Sequence, residues 1–217
     1  MIRGNHLLGV TISWIGLSGI LIAAPEVVVK TPDELSAALK GIRPNTTLKI
    51  GPGEYQGGNT VTNLSGVTIE ALDPKSPPVF RGGNQAWHFS RCTGLTVRNL
   101  IAIGQSMNGF NLDDGGQRDQ PVTGVTLDRV VVRDVGPTGN HDAIKISGLD
   151  DLRIQGCEIE GWGGQGIDMV GCHRVIVTGC GLKGKEGFAA GAGIQMKGGC
   201  SEITIEKCRL THARMRP

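Results

Sequence analysis

The sequence predicts an all-β fold, a parallel β-helix solenoid of about six coils with a short N-terminal capping helix. Composition is the first reason: 217 residues include 35 Gly but only 4 Phe, 3 Trp and 1 Tyr, too few bulky side chains to fill one wide core. A thin core repeated along an axis fits better. The second is a recurring short segment in which two apolar residues flank one mostly polar residue, the period of a strand with one buried face. Its anchors are Val67, Leu95, Val125, Leu152, Val175 and Ile203, spaced by 28, 30, 27, 23 and 28 residues. The third is that neighbouring columns keep the register. Three residues before each anchor stand Leu64, Cys92, Val122, Leu149, Cys172 and Cys200, and five after stand Leu72, Leu100, Val130, Cys157, Cys180 and Cys208, all apolar.

Along the chain, residues 1–24 read as a signal peptide or an N-terminal anchor. Arg3 and His6 precede an uncharged stretch from Leu7 to Ala24, which Ala23 and Ala24 close. Pro25 after the cut and Ile22 near it leave the uncleaved anchor as an alternative. Residues 25–217 form the β-helix domain, expected in a secreted or periplasmic space. Thr31 to Gly41 is the one helical stretch: Thr31 caps, Pro32 occupies the first turn, Leu35, Ala38 and Leu39 share a face, and Gly41 ends it. This helix is expected to plug the open edge of the first coil. Beyond Cys208 the residues Arg209 to Pro217 complete no second strand, so the far end is expected to be uncapped, as in a truncated chain or one met by a partner segment. A monomer is expected if that end is capped.

Before each coil closes runs a second strand with the same alternation, in Trp87-His88-Phe89, Phe110-Asn111-Leu112, Ile144-Lys145-Ile146, Ile167-Asp168-Met169 and Ile194-Gln195-Met196. Stacking at about 4.8 Å per coil turns the polar members into one outward column, His88, Asn111, Lys145, Asp168 and Gln195. Two residues on, a second column holds Ser90, Asp113, Ser147, Val170 and Lys197. The interior cysteine columns predict buried free thiols rather than three disulfides, since three cysteines in one column cannot all pair with each other.

Chemistry is expected on the polar column. Lys145 lies near His141, Asp142 and Asp168, and these four are the candidate catalytic residues. His88, Asn111, Gln195 and Lys197 are candidate substrate contacts, with Trp162 as a sugar-stacking surface. Segments Asp113 to Pro121, Val135 to Asn140 and Gly181 to Ala192 lengthen the coils and can wall a groove. A polysaccharide β-elimination needs a cation for the uronate carboxylate and a base for the adjacent C5 proton, with Lys145 as base. Ca²⁺ would offset the carboxylates around it, with Asp113, Asp114, Asp142 and Asp168 as ligands. Glycoside hydrolysis by Asp142 and Asp168 is the rival chemistry, and a non-catalytic carbohydrate- or surface-binding face, or an inactive fragment, is the third reading. Net charge is +2 with no basic run, which excludes nucleic acid as the partner. Membrane contact is expected only through an uncleaved N-terminal segment.

The stretches Thr31-Pro32-Asp33-Glu34-Leu35-Ser36-Ala37-Ala38-Leu39 and Leu48-Lys49-Ile50-Gly51-Pro52-Gly53-Glu54-Tyr55 resemble the opening of secreted right-handed parallel β-helix proteins, the chondroitinase B and alginate lyase family in particular. That resemblance implies a right-handed coil and a lyase acting on acidic polysaccharide. The family carries a catalytic Lys closely followed by Ser, an Arg on the next coil, and calcium held by Asn and Glu. Lys145 with Ser147 is similar to the first element, one residue out of step. Asp168 stands where the arginine would be, and the nearest arginine is Arg174. Asp113, Asp114, Asp142 and Lys145 are closer to the several Asp and one Lys of pectate lyases. Asn140-His141-Asp142 and Gly164-Gln165-Gly166 are similar to polygalacturonase motifs. The stretch from Asn140 to Cys180 also resembles bacterial β-helix proteins of unassigned activity.

Overall fold

The computed structural model describes residues 24–117 and 119–212. The stretch read as signal or anchor lies outside them apart from Ala24. Among the described residues the strands form three parallel sheets of ten, seven and six strands, visited in turn by every coil. The first sheet follows the anchors, as in Thr96–Arg98, Thr126–Asp128 and Arg153–Gln155, with Thr96, Thr126 and Arg153 in register. The third holds the polar column, in Asn59–Thr62, Trp87–Ser90, Phe110–Asp113, Ile144–Ser147, Ile167–Val170 and Ile194–Lys197. The second sheet, with strands such as Ile101–Ile103, Val131–Val135 and Glu158–Trp162, has no signal of its own in the sequence reading beyond the apolar column at its entrance.

A thin core explains why so few aromatics suffice. Leu95, Val97, Leu100, Leu127 and Ile154 are fully buried, and Tyr55, Phe80, Trp87 and Phe89 pack ring on ring inside the early coils. One interior column needs correction. Leu72 is exposed, and Pro78, next to the Val79 that pairs with Ile101, is the buried residue under Leu100. The turn after Leu72 is closed by Asp73, whose carboxylate and carbonyl accept from the N–H groups of Lys75 and Ser76, and it carries Leu72 out of the coil. The six cysteines are free thiols, four of them buried.

At the N-terminal end the helix spans Pro32–Gly41, with Thr31 Oγ1 accepting from Glu34 N at 3.2 Å and Leu35 buried against the first coil. The edge of the first sheet is covered differently from expectation. Strand Glu26–Val29 pairs with Thr47–Ile50 there, so helix and strand share the capping.

Candidate functional site

Parallel pairing places Thr60, His88, Asn111, Lys145, Asp168 and Gln195 in one continuous line across the third sheet. Alternation within each strand sends the apolar neighbours inward and these residues outward. Burial then divides the column. His88, Asn111, Lys145 and Gln195 are half-buried, whereas Asp168 is 0% exposed although its position faces outward.

Two lysines cover it. Lys145 Nζ forms an ion pair with Asp168 Oδ2, and Lys197 Nζ reaches back from the neighbouring column to the same oxygen at 3.0 Å. Lys145 Nζ also lies 3.6 Å from Asp142 Oδ2, whose side chain is 2% exposed. Both lysines keep a face to solvent, at 22% and 39% exposure. Asp142 is fixed by its backbone and its carboxylate together: its N–H donates to Asn108 Oδ1 at 2.8 Å, and its Oδ1 accepts from Gln165 N at 2.8 Å. Burial pushes the Asp142 carboxyl up to about 6, with the charge of Asp168 adding to the shift and the Gln165 N–H and the two lysines opposing it. Gly164 is required here, because a Cβ on it would stand 2.5 Å from Asp142 Oδ1.

A second cluster sits on the earlier coils. Asp113 accepts from Ser90 Oγ at 2.6 Å and from Gly115 N at 3.0 Å, and it contacts His88 Nε2 at 2.6 Å and Asn111 Nδ2 at 3.4 Å. Burial pushes its carboxyl up, but the hydrogen bonds from Ser90, His88 and Gly115 outweigh it and hold the group below the usual carboxylate range. Asp113 thus orients His88, a pairing the sequence reading did not make.

Three expectations are corrected. Trp162 is fully buried and offers no face to a sugar. Left-handed residues Asp134 and Gly161 break the alternation just before Val135 and Trp162, which pair with each other and both point inward. His141 packs its ring over Gly139 in its own loop and makes no hydrogen bond to Lys145 or Asp168, although its backbone carbonyl accepts from Gly164 N at 2.6 Å. The proposed calcium ligands do not converge. Asp113 turns toward His88, Asp114 Oδ1 accepts from Gly116 N, and Asp142 and Asp168 face lysine ammonium groups. Among the described residues no three His, Cys, Asp or Glu side chains gather in a way that could hold an ion. The donor set does not fit Ca²⁺, and no step of the chemistry is routed through it.

Loops flank the sheet on both sides. Residues 114–121 follow the third-sheet strand of their coil, while 136–143 and 184–193 precede theirs. The last two are tied together across the intervening coil: Ala189 N donates to the Pro137 carbonyl, Ala190 N to Trp162, Gly191 N to Gly164, and Lys185 pairs with Asp134 at 2.6 Å. Here the buried Trp162 has a structural role, holding loop 184–193 through its carbonyl.

A solved structure with the same architecture is that of an alginate lyase from Paenibacillus sp. str. FPU-7, at 19% identity and a TM-score of 0.67, covering 86% of this chain and 66% of that one. A PL6 family alginate lyase, AlyGC, aligns at 9% identity with a TM-score of 0.26 over 83% of this chain and 40% of its own, too low to carry an argument. The first likeness shows the fold, and this chain spans just under two thirds of that lyase. No curated protein sequence matches at a significant level. The family model described as "Right handed beta helix region" matches residues 56–215, most of the chain and every coil that carries the polar column. The chain belongs to the right-handed β-helix family.

Proposed function

We propose that this protein acts on an acidic, uronate-containing polysaccharide laid along the third sheet and cleaves it by β-elimination. The observation that carries the reading is the convergence of Lys145 and Lys197 on one buried carboxylate, Asp168. Two ammonium groups share that charge, and among the described residues the one other carboxylate in contact with them is Asp142, beside Lys145. Of the two lysines, Lys197 also presents its ammonium to solvent, where a substrate carboxylate can meet it. Lys197, the more exposed of the two, neutralises the uronate carboxylate and so acidifies the adjacent C5 proton. Lys145 is the base. Its ammonium proton passes to Asp142, 3.6 Å away, whose raised pKa makes that transfer less uphill than it would be to an ordinary carboxylate.

The bonds then balance simply. Lys145 Nζ takes the C5 proton, the C4–O4 bond breaks as the C4–C5 double bond forms, and the same ammonium returns its proton to the departing O4. His88, Asn111 and Gln195 hydrogen-bond the neighbouring sugars along the column.

Purified protein given pectate, alginate or chondroitin is expected to generate the ultraviolet absorbance of C4–C5 unsaturated chain ends. Lys145→Ala is expected to lower kcat by at least about a hundredfold, the usual contribution of a positioned base, and Lys197→Ala to raise KM. No absorbance with any uronate polymer overturns the reading. Reducing ends released without unsaturation would instead assign hydrolysis to Asp142 and Asp168.

A further inference from the structure

Where each third-sheet strand ends, the chain turns a corner toward the first sheet. In the first two coils the corner residues are Asn63 and Arg91, both left-handed, with φ of 56° and 57°. In the last three it is Gly148, Gly171 and Gly198, with φ of 70°, 59° and 65°. The backbone shape is shared, so it does not by itself demand glycine in the later coils. Gly148 is needed for another reason, since a Cβ there would meet Asp114 Oδ2 at 2.3 Å. Gly171 is not so constrained, its nearest neighbour being the Gly198 carbonyl at 3.4 Å. What the glycines do together is leave a floor without side chains, and over it lies a cavity of about 690 Å³. That lies within the ~300–1,000 Å³ of small-molecule sites.

The cavity adjoins the lysine cluster through Ser147, two residues beyond Lys145, and its character is opposite. Asp114 and Asp150 line it, and both are buried. Asp150 Oδ2 accepts from Arg174 Nη2 at 3.1 Å while its Oδ1 is buried without a partner, and Asp114 Oδ1 accepts from Gly116 N at 2.8 Å. Pro121 and Val170 supply small apolar surfaces. Among the described residues no lysine or arginine lines the cavity. A uronate placed here would bring a third carboxylate beside Asp114 and Asp150, where the guanidinium of Arg174 is already engaged by Asp150 and Asp151, whereas sugar hydroxyls can donate to carboxylate and serine oxygens.

We infer that this corner is a subsite for a neutral, hydroxyl-rich sugar residue, next to the acidic residue held by Lys145 and Lys197. It rests on the acidic-polysaccharide reading and narrows it to a heteropolymer, in which uncharged residues alternate with uronates or branch from them.

Titration calorimetry with three oligosaccharides of equal length tests this, one of uronates only, one alternating uronate with neutral hexose, and one all neutral. The alternating ligand is expected to bind about tenfold tighter than the all-uronate one. Gly171→Arg places in the cavity the side chain that Arg91 carries at the equivalent corner, and it is expected to remove that advantage, its added cation favouring the all-uronate ligand instead. Gly171→Asn, matching Asn63, is the smaller filling should the arginine variant fail to fold. Equal affinity for the first two ligands overturns the subsite, as does an advantage that survives the substitution in folded protein. If the neutral ligand binds tightest and Gly171→Arg abolishes its binding, the subsite stands and the acidic-polymer reading falls.

Discussion

Asp168 shows how much a single position can depend on its neighbours. Its register makes it an outward residue like Asn111 or Gln195, yet it is sealed by side chains from the coils on either side, Lys145 and Lys197. Long lysine stems cover surface while their ammonium groups stay wet, so the carboxylate is shut off from solvent by the side chains that pair with it. Asp142 carries the measurable consequence. It ionises near 6 in the fold against an ordinary 3.8, so between those values the folded protein keeps a proton that the unfolded chain has released. Stability therefore falls as pH rises through that window and is flat above it with respect to this group. Asp142→Asn retains an oxygen for the Gln165 N–H and cannot ionise. Thermal melts from about pH 4 to about pH 7 are expected to show a falling curve for the native protein and a flatter one for the variant, which becomes the more stable of the two near neutrality. Parallel curves would remove burial of Asp142 as the cause.

Within the individual strands, alternation was legible and its interruptions were not. The anchors and the polar column could be read from the sequence because a period of two, repeated six times, specifies which side chains share a face. The second sheet was hidden because its strands are short and follow a corner of only a residue or two, as at Asn99 between Thr96–Arg98 and Ile101–Ile103. Trp162 was misplaced because a left-handed glycine before it shifts the alternation by one, and the pairing of His88 with Asp113 joins residues 25 apart that no local pattern connects. Leu72 is the sharpest case, an apolar residue in apparent register that the structure replaces with Pro78. Leu72→Ser is expected to change stability by no more than about 0.5 kcal/mol, as for an exposed position, whereas Leu100→Ala, fully buried, is expected to cost about 2–5 kcal/mol. Chemical denaturation of the two variants separates these outcomes, and a large loss from Leu72→Ser would restore it to the core.

At the scale of the whole molecule, a solenoid distributes its stability coil by coil, because each coil touches only the next. The candidate site draws on three consecutive coils, those of Lys145, Asp168 and Lys197. Lys145 belongs to a coil enclosed on both sides, whereas Lys197 lies on Ile194–Lys197, the last third-sheet strand among the described residues, where Ile194 is half-buried and Met196 is 42% exposed. What holds this coil in place beyond strand pairing is the loop 184–193, through its bonds to Pro137, Trp162 and Gly164 and the Lys185–Asp134 pair. The cation proposed to meet the uronate thus rides on a coil that this loop ties to its neighbours, and ligand binding should tighten it. Hydrogen exchange reads this strand by strand, with central strands such as Thr126–Asp128 and Arg153–Gln155 as the reference. An acidic oligosaccharide bridging Lys145 and Lys197 should slow exchange in Ile194–Lys197 specifically, and Lys185→Ala should speed it there while leaving the central strands unchanged. Protection that the ligand raises only in the early coils would mean that Lys197 is not part of the binding surface.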